Sequence, residues 1–233
     1  MPPMGLFDPP SDLSDISDIS NRALSVTAVE TDFVAKVYEN IAWAYDLVFG
    51  PTLHPGRVQA IQRIGIGTGD RVLEVGVGTG INACLYPRDC IVTGIDLSAP
   101  MLEKARERFA RKGIRNVRLH KMDASALKFA DDTFDIVYAP YVISVVPDPV
   151  AVVHEMIRVC RPGGRVVFLN HFRSENAVLA RLERAIAPFA VHIGFKSDLD
   201  LPAFLAQASL NPISIEKVNF PRIWSLVTCI KQS

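Results

Sequence analysis

The chain has 233 residues, 49% of them apolar, and its 25 basic and 25 acidic residues give a formal net charge of zero. This size and apolar content predict one domain with a large hydrophobic core, and the balanced charge argues against nucleic acid as a partner. The cysteines lack metal-ligand spacing and no run of about 18 apolar residues is present, so no metal site, disulfide framework or transmembrane helix is expected.

The first 32 residues form a predicted acidic leader, in which five aspartates and one glutamate stand against a single arginine. Its repeated Ser-Asp pairs indicate either a mobile segment or a marginal helix. The basic region and apolar core of a signal peptide are missing, and the cysteine pattern suits a reducing compartment. These features favour a cytoplasmic protein.

Residues 33–67 are predicted to form an N-terminal helical cap. Apolar side chains recur from Phe33 to Phe49 at spacings of three and four, which is typical of a helix that buries one face. Gly50 and Pro51 are expected to end this helix. A second, shorter helix is expected over residues 55–65.

From Asp70 onward, short β-branched runs alternate with helical stretches. Strands are predicted over residues 71–75, 91–95, 117–122, 134–138 and 165–169. Helices are predicted between them, near residues 80–86, 98–112 and 149–160. This alternation predicts an α/β fold with a parallel sheet that is covered by helices on both faces.

The C-terminal third has a different pattern. Helices are predicted over residues 174–187 and 201–209, and residues 172–200 are interpreted as a helical insertion over the candidate site. Two β-rich runs, 213–219 and 224–230, predict a hairpin at one edge of the sheet.

A glycine-rich turn carries the clearest chemical signal. Residues 72–80 read V-L-E-V-G-V-G-T-G, so that a predicted strand leads directly into three alternating glycines and then a helix. Glycines let a ligand approach the backbone closely, and the amides at the start of a helix are free to bind it.

The dinucleotide fingerprint G-x-G-x-x-G is not satisfied by this turn. Counted from Gly76, the third glycine is replaced by Ile81, and counted from Gly78 only Ala83 offers a permissive match. The carboxylate of Glu74 suits a cationic ligand better than a pyrophosphate. S-adenosylmethionine is such a ligand, because it carries an ammonium and a sulfonium. A strained turn without a ligand is the other interpretation.

Carboxylates also follow the next two predicted strands. Asp96 ends the second strand, where it can accept hydrogen bonds from both hydroxyls of a ribose. A dinucleotide and S-adenosylmethionine both carry such a ribose, so Asp96 does not distinguish between them. Asp123 and Ala124 follow the third strand, where a carboxylate and the adjoining backbone can hold an adenine amino group. Residues 161–165, R-P-G-G-R, predict a tight turn into the fifth strand.

The runs E-V-G-V-G-T-G, G-I-D-L-S, D-A, F-D-I-V-Y and R-P-G-G-R-V-V-F together resemble the class I methyltransferases that use S-adenosylmethionine. The resemblance extends over residues 35–231 and is most specific over residues 70–170. It implies that residues 33–233 form a Rossmann-like domain with a seven-stranded, mostly parallel sheet, an antiparallel last strand and an N-terminal helical extension. It also implies S-adenosylmethionine as the cofactor and S-adenosylhomocysteine as the product.

The resemblance also assigns cofactor contacts. The glycine turn and the carboxylate before it would hold the methionine part, Asp96 the ribose, Leu97 and Met101 the face of the adenine, and the next carboxylate the adenine edge. The full set of cofactor residues that it implies is Tyr45, Glu74, Gly76, Gly78, Gly80, Asp96, Leu97, Met101, Asp123, Ala124 and Ala139.

The segment V-Y-E-N-I-A-W-A-Y-D at residues 37–46 resembles the entry helix of two subfamilies. These are the bacterial phosphatidylethanolamine N-methyltransferases and the ubiquinone/menaquinone C-methyltransferases, and Asn-His-Phe at residues 170–172 is more similar to the former. The resemblance therefore implies methylation of the phosphatidylethanolamine head group, toward phosphatidylcholine. The alternatives are a C- or O-methyltransferase of a quinone precursor or other small apolar molecule, and a non-catalytic module that only binds the cofactor.

Four residues are candidates for catalysis: Tyr38, Tyr141, Asn170 and His171. An alkyl amine must lose its proton before it can attack a methyl group, and His171 is expected to accept or relay that proton. The alternative is that Tyr38 or Tyr141 orients the amine. Aromatic faces also suit the quaternary ammonium of the product, with Trp43 and Tyr45 as further candidates. An ordinary place in the core is the other interpretation of each side chain.

A phospholipid acceptor requires contact with a bilayer. Residues 172–196 combine an apolar stripe with arginines and a lysine, a pattern that suits an anionic membrane surface. The other interpretation is a helix that docks onto the sheet. Peripheral contact with the inner face of the membrane is therefore expected for the lipid hypothesis.

Overall fold

A computed structural model describes residues 50–172, 199–219 and 223–232 of the chain. Its helices are α1 (Gly50–Ile64), α2 (Ala99–Lys112), α3 (Pro149–Val159) and α4 (Leu201–Gln207). Its strands are β1 (Arg71–Val75), β2 (Ile91–Asp96), β3 (Val117–Lys121), β4 (Phe134–Pro140), β5 (Cys160–His171), β6 (Pro212–Val218) and β7 (Trp224–Ile230). A 3₁₀ turn, Ile81–Cys84, lies between β1 and β2.

The strands form one seven-stranded sheet in the order β3-β2-β1-β4-β5-β7-β6. Strands β1 to β5 pair in parallel, whereas β7 is antiparallel to both of its neighbours, β5 and β6. The predicted α/β class, the mostly parallel sheet and the antiparallel last strand are therefore confirmed. The strand order reverses between β1 and β4, and open α/β sheets bind ligands at the carboxyl ends of the strands at such a switch point.

Helices cover both faces of the sheet, as the alternation of elements predicted. Leu73, Val137 and Phe168 point to the face that α3 and α4 cover. Their chain neighbours point the other way, and Val72 and Ile136 form a second apolar cluster with residues of α1. Because successive side chains of a strand alternate, each central strand is apolar on both sides.

Two predicted helix boundaries are wrong, each for a local reason. Helix α1 already begins at Gly50, because Pro51 fits the helical backbone angle and costs no hydrogen bond in the first turn. The helix also includes Pro55 in its interior. The predicted helix over residues 80–86 is only the 3₁₀ turn, since Pro87 follows it closely. The expected helix over residues 33–49 lies outside the described residues, as do the leader and the expected helix over residues 174–187.

Strand β5 begins five residues earlier than predicted and absorbs the R-P-G-G sequence. The register shifts here, since Phe134 of β4 pairs with Cys160 whereas Ile136 pairs with Arg165. The bulge is closed by the end of β7, where Gly163 N donates to Lys231 O at 2.9 Å and Lys231 N donates to the carbonyl of the next glycine at 3.0 Å. The predicted tight turn is therefore a bulge inside a strand.

Replacement of Gly164 by alanine tests this bulge. An alanine Cβ would lie 2.6 Å from Cys160 Sγ and 2.8 Å from the carbonyl oxygens of Arg161 and Asp135. Because two of these neighbours are backbone, we expect Gly164→Ala to lower the free energy of unfolding by about 1–3 kcal/mol in urea denaturation. Gly67→Ala is the matched control, since its nearest neighbour would be Asp70 at 3.6 Å. Equal stability of the two variants would contradict the tight packing of the bulge.

Candidate active site

A cavity of about 220 Å³ opens at the carboxyl ends of β1, β2 and β4, at the switch point of the sheet. It is lined by the glycine turn after β1, the end of β2, the start of α2, the segment after β3 and the segment that joins β4 to α3. The predicted cofactor residues that line it are Gly76, Gly78, Asp96, Leu97, Met101, Asp123 and Ala124, and the predicted catalytic residue that lines it is Tyr141.

The glycine turn brings bare backbone to the cavity. Gly78 has a φ of 55°, and a Cβ at this position would meet no atom within 4 Å, so its α-carbon faces open space. Gly76 lies where a Cβ would collide with Val142 of the facing segment. Gly80 has a different role, because a Cβ there would lie 2.5 Å from Phe109 of α2. It permits the turn to pack on α2 and is not part of the cavity wall.

Asp96 joins the glycine turn to the start of α2. Its Oδ2 accepts a hydrogen bond from Gly78 N at 2.8 Å, and its Oδ1 accepts one from Ser98 N at 2.9 Å. Burial raises the pKa of the Asp96 carboxyl, and the hydrogen bonds from the backbone amides partly oppose this rise. Each carboxylate oxygen keeps a lone pair for a further donor, such as a ribose hydroxyl.

The far end of the cavity is formed after β3. Met101 and Met122 supply apolar surface there, and Asp123, Ala124 and Ser125 line the wall beside them. Asp123 Oδ1 accepts hydrogen bonds from the backbone N and the Oγ of Ser125, both at 2.8 Å. These bonds fix the carboxylate at the rim, where the sequence predicted the adenine edge.

Glu74 lies behind the cavity wall and does not line it. It is fully buried on the α1 side of the sheet, where Asn82 Nδ2 donates to its Oε1 at 2.7 Å and Tyr86 OH donates to its Oε2 at 2.9 Å. Burial raises the pKa of the Glu74 carboxyl to about 7, while the Tyr86 hydroxyl, the Arg57 guanidinium and the Asn82 amide act in the opposite direction. Glu74 therefore belongs to a buried polar cluster behind the glycine turn, and its predicted hold on the methionine part stays a prediction.

Tyr141 follows β4 with a φ of 61°, a conformation that residues other than glycine rarely adopt. Its hydroxyl donates to Leu53 O at 3.0 Å, and the Arg57 guanidinium lies 4.9 Å from its ring centroid. The ring of Trp224 meets Tyr141 edge-on at 5.0 Å between centroids. The ring face that was a candidate for the product's ammonium already holds a cation of the protein.

His171 and Asn170 are buried at the end of β5, and neither belongs to the described cavity wall. The His171 ring lies 5.6 Å from that of Trp224, so it reaches the cavity through Trp224 and Tyr141. Asn170 Nδ2 donates to the backbone O of His171 at 3.0 Å. Of the other predicted site residues, Ala139 is buried in the core and Tyr38, Trp43 and Tyr45 lie outside the described residues.

Sequence reasoning missed Arg57 and Val142, both of which line the cavity. Arg57 lies in α1, which carries no motif. Val142 follows β4 and packs over the glycine turn, a contact that only the paired strands bring about. Within the described parts of the chain, no three His, Cys, Asp or Glu side chains are grouped to hold a metal ion. No described helix has the length and apolar character needed to cross a bilayer.

Comparison with known proteins agrees with this geometry. A family model described as a methyltransferase domain matches residues 73–168, which run from β1 into β5. The chain is 43% identical to a phosphatidylethanolamine N-methyltransferase of Cereibacter sphaeroides, over 79% of this chain and 91% of that protein. The chain therefore belongs to the family of S-adenosylmethionine-dependent methyltransferases of which that enzyme is a member.

A further sequence relative and a solved structure are also similar to the chain. The chain is 40% identical to a ubiquinone/menaquinone biosynthesis C-methyltransferase of Desulfotalea psychrophila, over 59% of this chain and 57% of that protein. A phosphoethanolamine N-methyltransferase of Haemonchus contortus, solved with phosphomonomethylethanolamine and S-adenosylhomocysteine, superposes with a TM-score of 0.70. It is 20% identical, over 87% of this chain and 60% of that chain, and it confirms the Rossmann-like fold.

The cavity residues fit S-adenosylmethionine, the cofactor of the family. The open space at the Gly78 α-carbon leaves room beside the turn, and the buried Asp96 offers acceptors for a ribose. Met101 and Met122 supply apolar surface for a planar base, and Asp123 supplies an acceptor at its edge. These residues are the ones that would hold the cofactor.

The buried Glu74 makes stability depend on pH. Because its pKa is raised to about 7, the folded protein keeps a proton that the unfolded chain releases above the ordinary pKa of 4.5. The associated stability is present below pH 4.5 and is lost as the pH rises toward 7. We expect the free energy of unfolding of the wild type, measured against Glu74→Gln in urea, to fall by up to about 3 kcal/mol across this window. A difference between the two proteins that is constant with pH would contradict the protonated state of Glu74.

Proposed function

We propose that the enzyme methylates the amine of the phosphatidylethanolamine head group, toward phosphatidylcholine. The observation that carries this proposal is the 43% identity with the Cereibacter sphaeroides phosphatidylethanolamine N-methyltransferase, which extends over 91% of that protein. An identity confined to the cofactor-binding half would speak for the cofactor alone, because acceptor residues lie outside the common motifs.

The composition of the cavity mouth supports an acceptor with an apolar part. The segment between β4 and α3 contributes an apolar wall, and the charged side chain at its end, Asp148, is tied to the N-terminus of α3 through its bond to Ala151 N at 2.9 Å. The apolar residues of this wall are Pro140, Val142, Val145, Val146 and Pro147. Such a wall suits the glycerol and acyl region of a lipid whose head group enters the cavity.

The chemistry requires a neutral amine. When bound, S-adenosylmethionine would supply an electrophilic methyl group on its sulfonium, which only a neutral amine with a free lone pair could accept. The apolar wall around Val142 and Val145 disfavours the protonated amine and so helps the nitrogen to lose its proton. The fixed walls align the acceptor for an in-line attack.

We propose a supporting role for His171. Two aromatic rings separate it from the cavity, so we assign it to the positioning of Trp224 and Tyr141 and not to direct proton removal. Tyr38 keeps its predicted role in orienting the amine, and Tyr45 keeps its predicted contact with the cofactor. Asn170 is assigned, with His171, to the support of the end of β5.

A second candidate is the C-methylation of a quinone precursor. The 40% identity with the Desulfotalea psychrophila enzyme favours it, and the apolar wall suits a prenylated ring equally well. The shorter match, over 57% of that protein, makes it the lesser candidate. For the lipid substrate we further propose peripheral contact with a membrane at the cytoplasmic face, because the head group must be reached where the bilayer presents it.

A comparison of acceptors tests the proposed function. Purified protein is incubated with methyl-labelled S-adenosylmethionine and one of three acceptors: phosphatidylethanolamine liposomes, free phosphoethanolamine, or a prenylated quinone precursor in detergent. We expect label in the lipid of the liposomes, with mono-, di- or trimethylated head groups in mass spectrometry, and co-flotation of the protein with the liposomes. Val145→Asp, which places a charge in the apolar wall, should raise the lipid KM about tenfold or more, and Val145→Ala serves as its matched control.

Label in free phosphoethanolamine alone would show that the methyl acceptor is the soluble head group and would contradict the lipid as acceptor. Label in the quinone precursor alone would establish the second candidate and remove the first. Both results would leave the cofactor assignment in place, because S-adenosylhomocysteine binding is measured separately by calorimetry.

A further inference from the structure

Arg57 of α1 brings a buried cation to the cavity. The residue is only 6% exposed, and it lines the cavity beside the glycine turn and Tyr141. Its Nη1 donates to Asn82 Oδ1 at 3.2 Å, and its guanidinium lies over the Tyr141 ring at 4.9 Å. These contacts hold the guanidinium at the wall of the site.

The guanidinium is incompletely satisfied. Its Nε is buried and has no hydrogen-bond partner among the residues that the structure describes. In the same part of the chain no carboxylate forms an ion pair with it, and Glu74, whose charge it senses, is joined to it by hydrogen bonds only through the Asn82 amide. A buried cation without a paired anion is costly, so the arrangement calls for an anionic group from a ligand.

The charges of the cavity indicate which group this is. Among the described lining residues the other charged side chains are Asp96, Asp123 and Asp148, so Arg57 is the sole cation. S-adenosylmethionine carries a single anionic group, the carboxylate of its methionine part. A carboxylate and a guanidinium form a charge-assisted, geometrically specific pair.

The topology puts Arg57 at the methionine end of the site. Asp96, the ribose residue, ends β2 on one side of the glycine turn that follows β1. Arg57 contacts Asn82, just after this turn, and Tyr141, just after β4 on the other side of β1. A ligand whose ribose meets Asp96 and whose chain crosses the glycine turn therefore ends beside Arg57.

We propose that Arg57 binds the carboxylate of the cofactor's methionine part, and that Glu74 acts through Asn82 to orient the guanidinium. Glu74 is thus a positioning residue and Arg57 the binding residue. The phosphate of a phospholipid head group is the other anion that the proposed reaction brings to the enzyme. The buried place of Arg57 next to the glycine turn favours the carboxylate. The inference rests on the cofactor and is independent of the acceptor.

The test uses two ligands that differ only in this group. Isothermal titration calorimetry measures the Kd of S-adenosylhomocysteine and of its decarboxylated analogue, in which hydrogen replaces the carboxylate. The proteins are the wild type, Arg57→Met, Arg57→Gln and Arg63→Met. Arg63 is the matched control, because it lies on the same helix but pairs at the surface with Glu216 at 3.2 Å. Arg57→Gln keeps a hydrogen-bond donor near Asn82 and serves as the second variant if Arg57→Met does not fold.

We expect Arg57→Met and Arg57→Gln to weaken S-adenosylhomocysteine binding about 10- to 100-fold and to change the Kd of the decarboxylated analogue less than about threefold. Arg63→Met should leave both affinities unchanged. An equal loss for both ligands would show that Arg57 only supports the fold of the site and would overturn the proposal. Unchanged binding of S-adenosylhomocysteine together with a raised KM for phosphatidylethanolamine would overturn it in favour of the lipid phosphate.

Discussion

The site depends on the two backbone hydrogen bonds that Asp96 accepts, from Gly78 and from Ser98. They tie the turn after β1 to the start of α2, so the α-carbon of Gly78 is held facing the cavity. The parallel pairing of β1 with β2 brings these groups together, because parallel strands end at the same edge of a sheet. Burial of the Asp96 carboxylate is tolerated since the amides satisfy it while leaving acceptors for a ligand.

A second buried polar layer lies behind the glycine turn. Glu74 accepts hydrogen bonds from Asn82 and Tyr86, and Asn82 in turn accepts one from Arg57. Because Asn82 bridges them, the Glu74 carboxyl and the Arg57 guanidinium are coupled without touching. In our proposal Glu74 therefore acts through Asn82, and Arg57, the residue that it orients, reaches the cavity.

Local patterns were sufficient to predict the sheet and the cofactor side of the site. Alternating β and α runs gave the parallel strands, and the glycine turn with Asp96 and Asp123 gave the residues that line one end of the cavity. The sequence did not reveal Arg57, because its importance depends on how α1 packs beside β4, a contact between distant parts of the chain. The buried surroundings of Glu74 also follow from the pairing of distant segments, although strand alternation already places it on the same face as Val72, toward α1.

Asp96 organises the glycine turn, and we propose that it also holds the ribose of the cofactor. Calorimetric titration of Asp96→Asn with S-adenosylhomocysteine tests it most directly, with Asp89→Asn, whose carboxylate accepts from Thr68 at the surface, as the matched control. We expect the Kd of Asp96→Asn to rise about 10- to 100-fold, because one amide loses its acceptor and the ribose loses a charged partner. The control should bind as the wild type does. A Kd of Asp96→Asn within about threefold of the wild type would contradict the account.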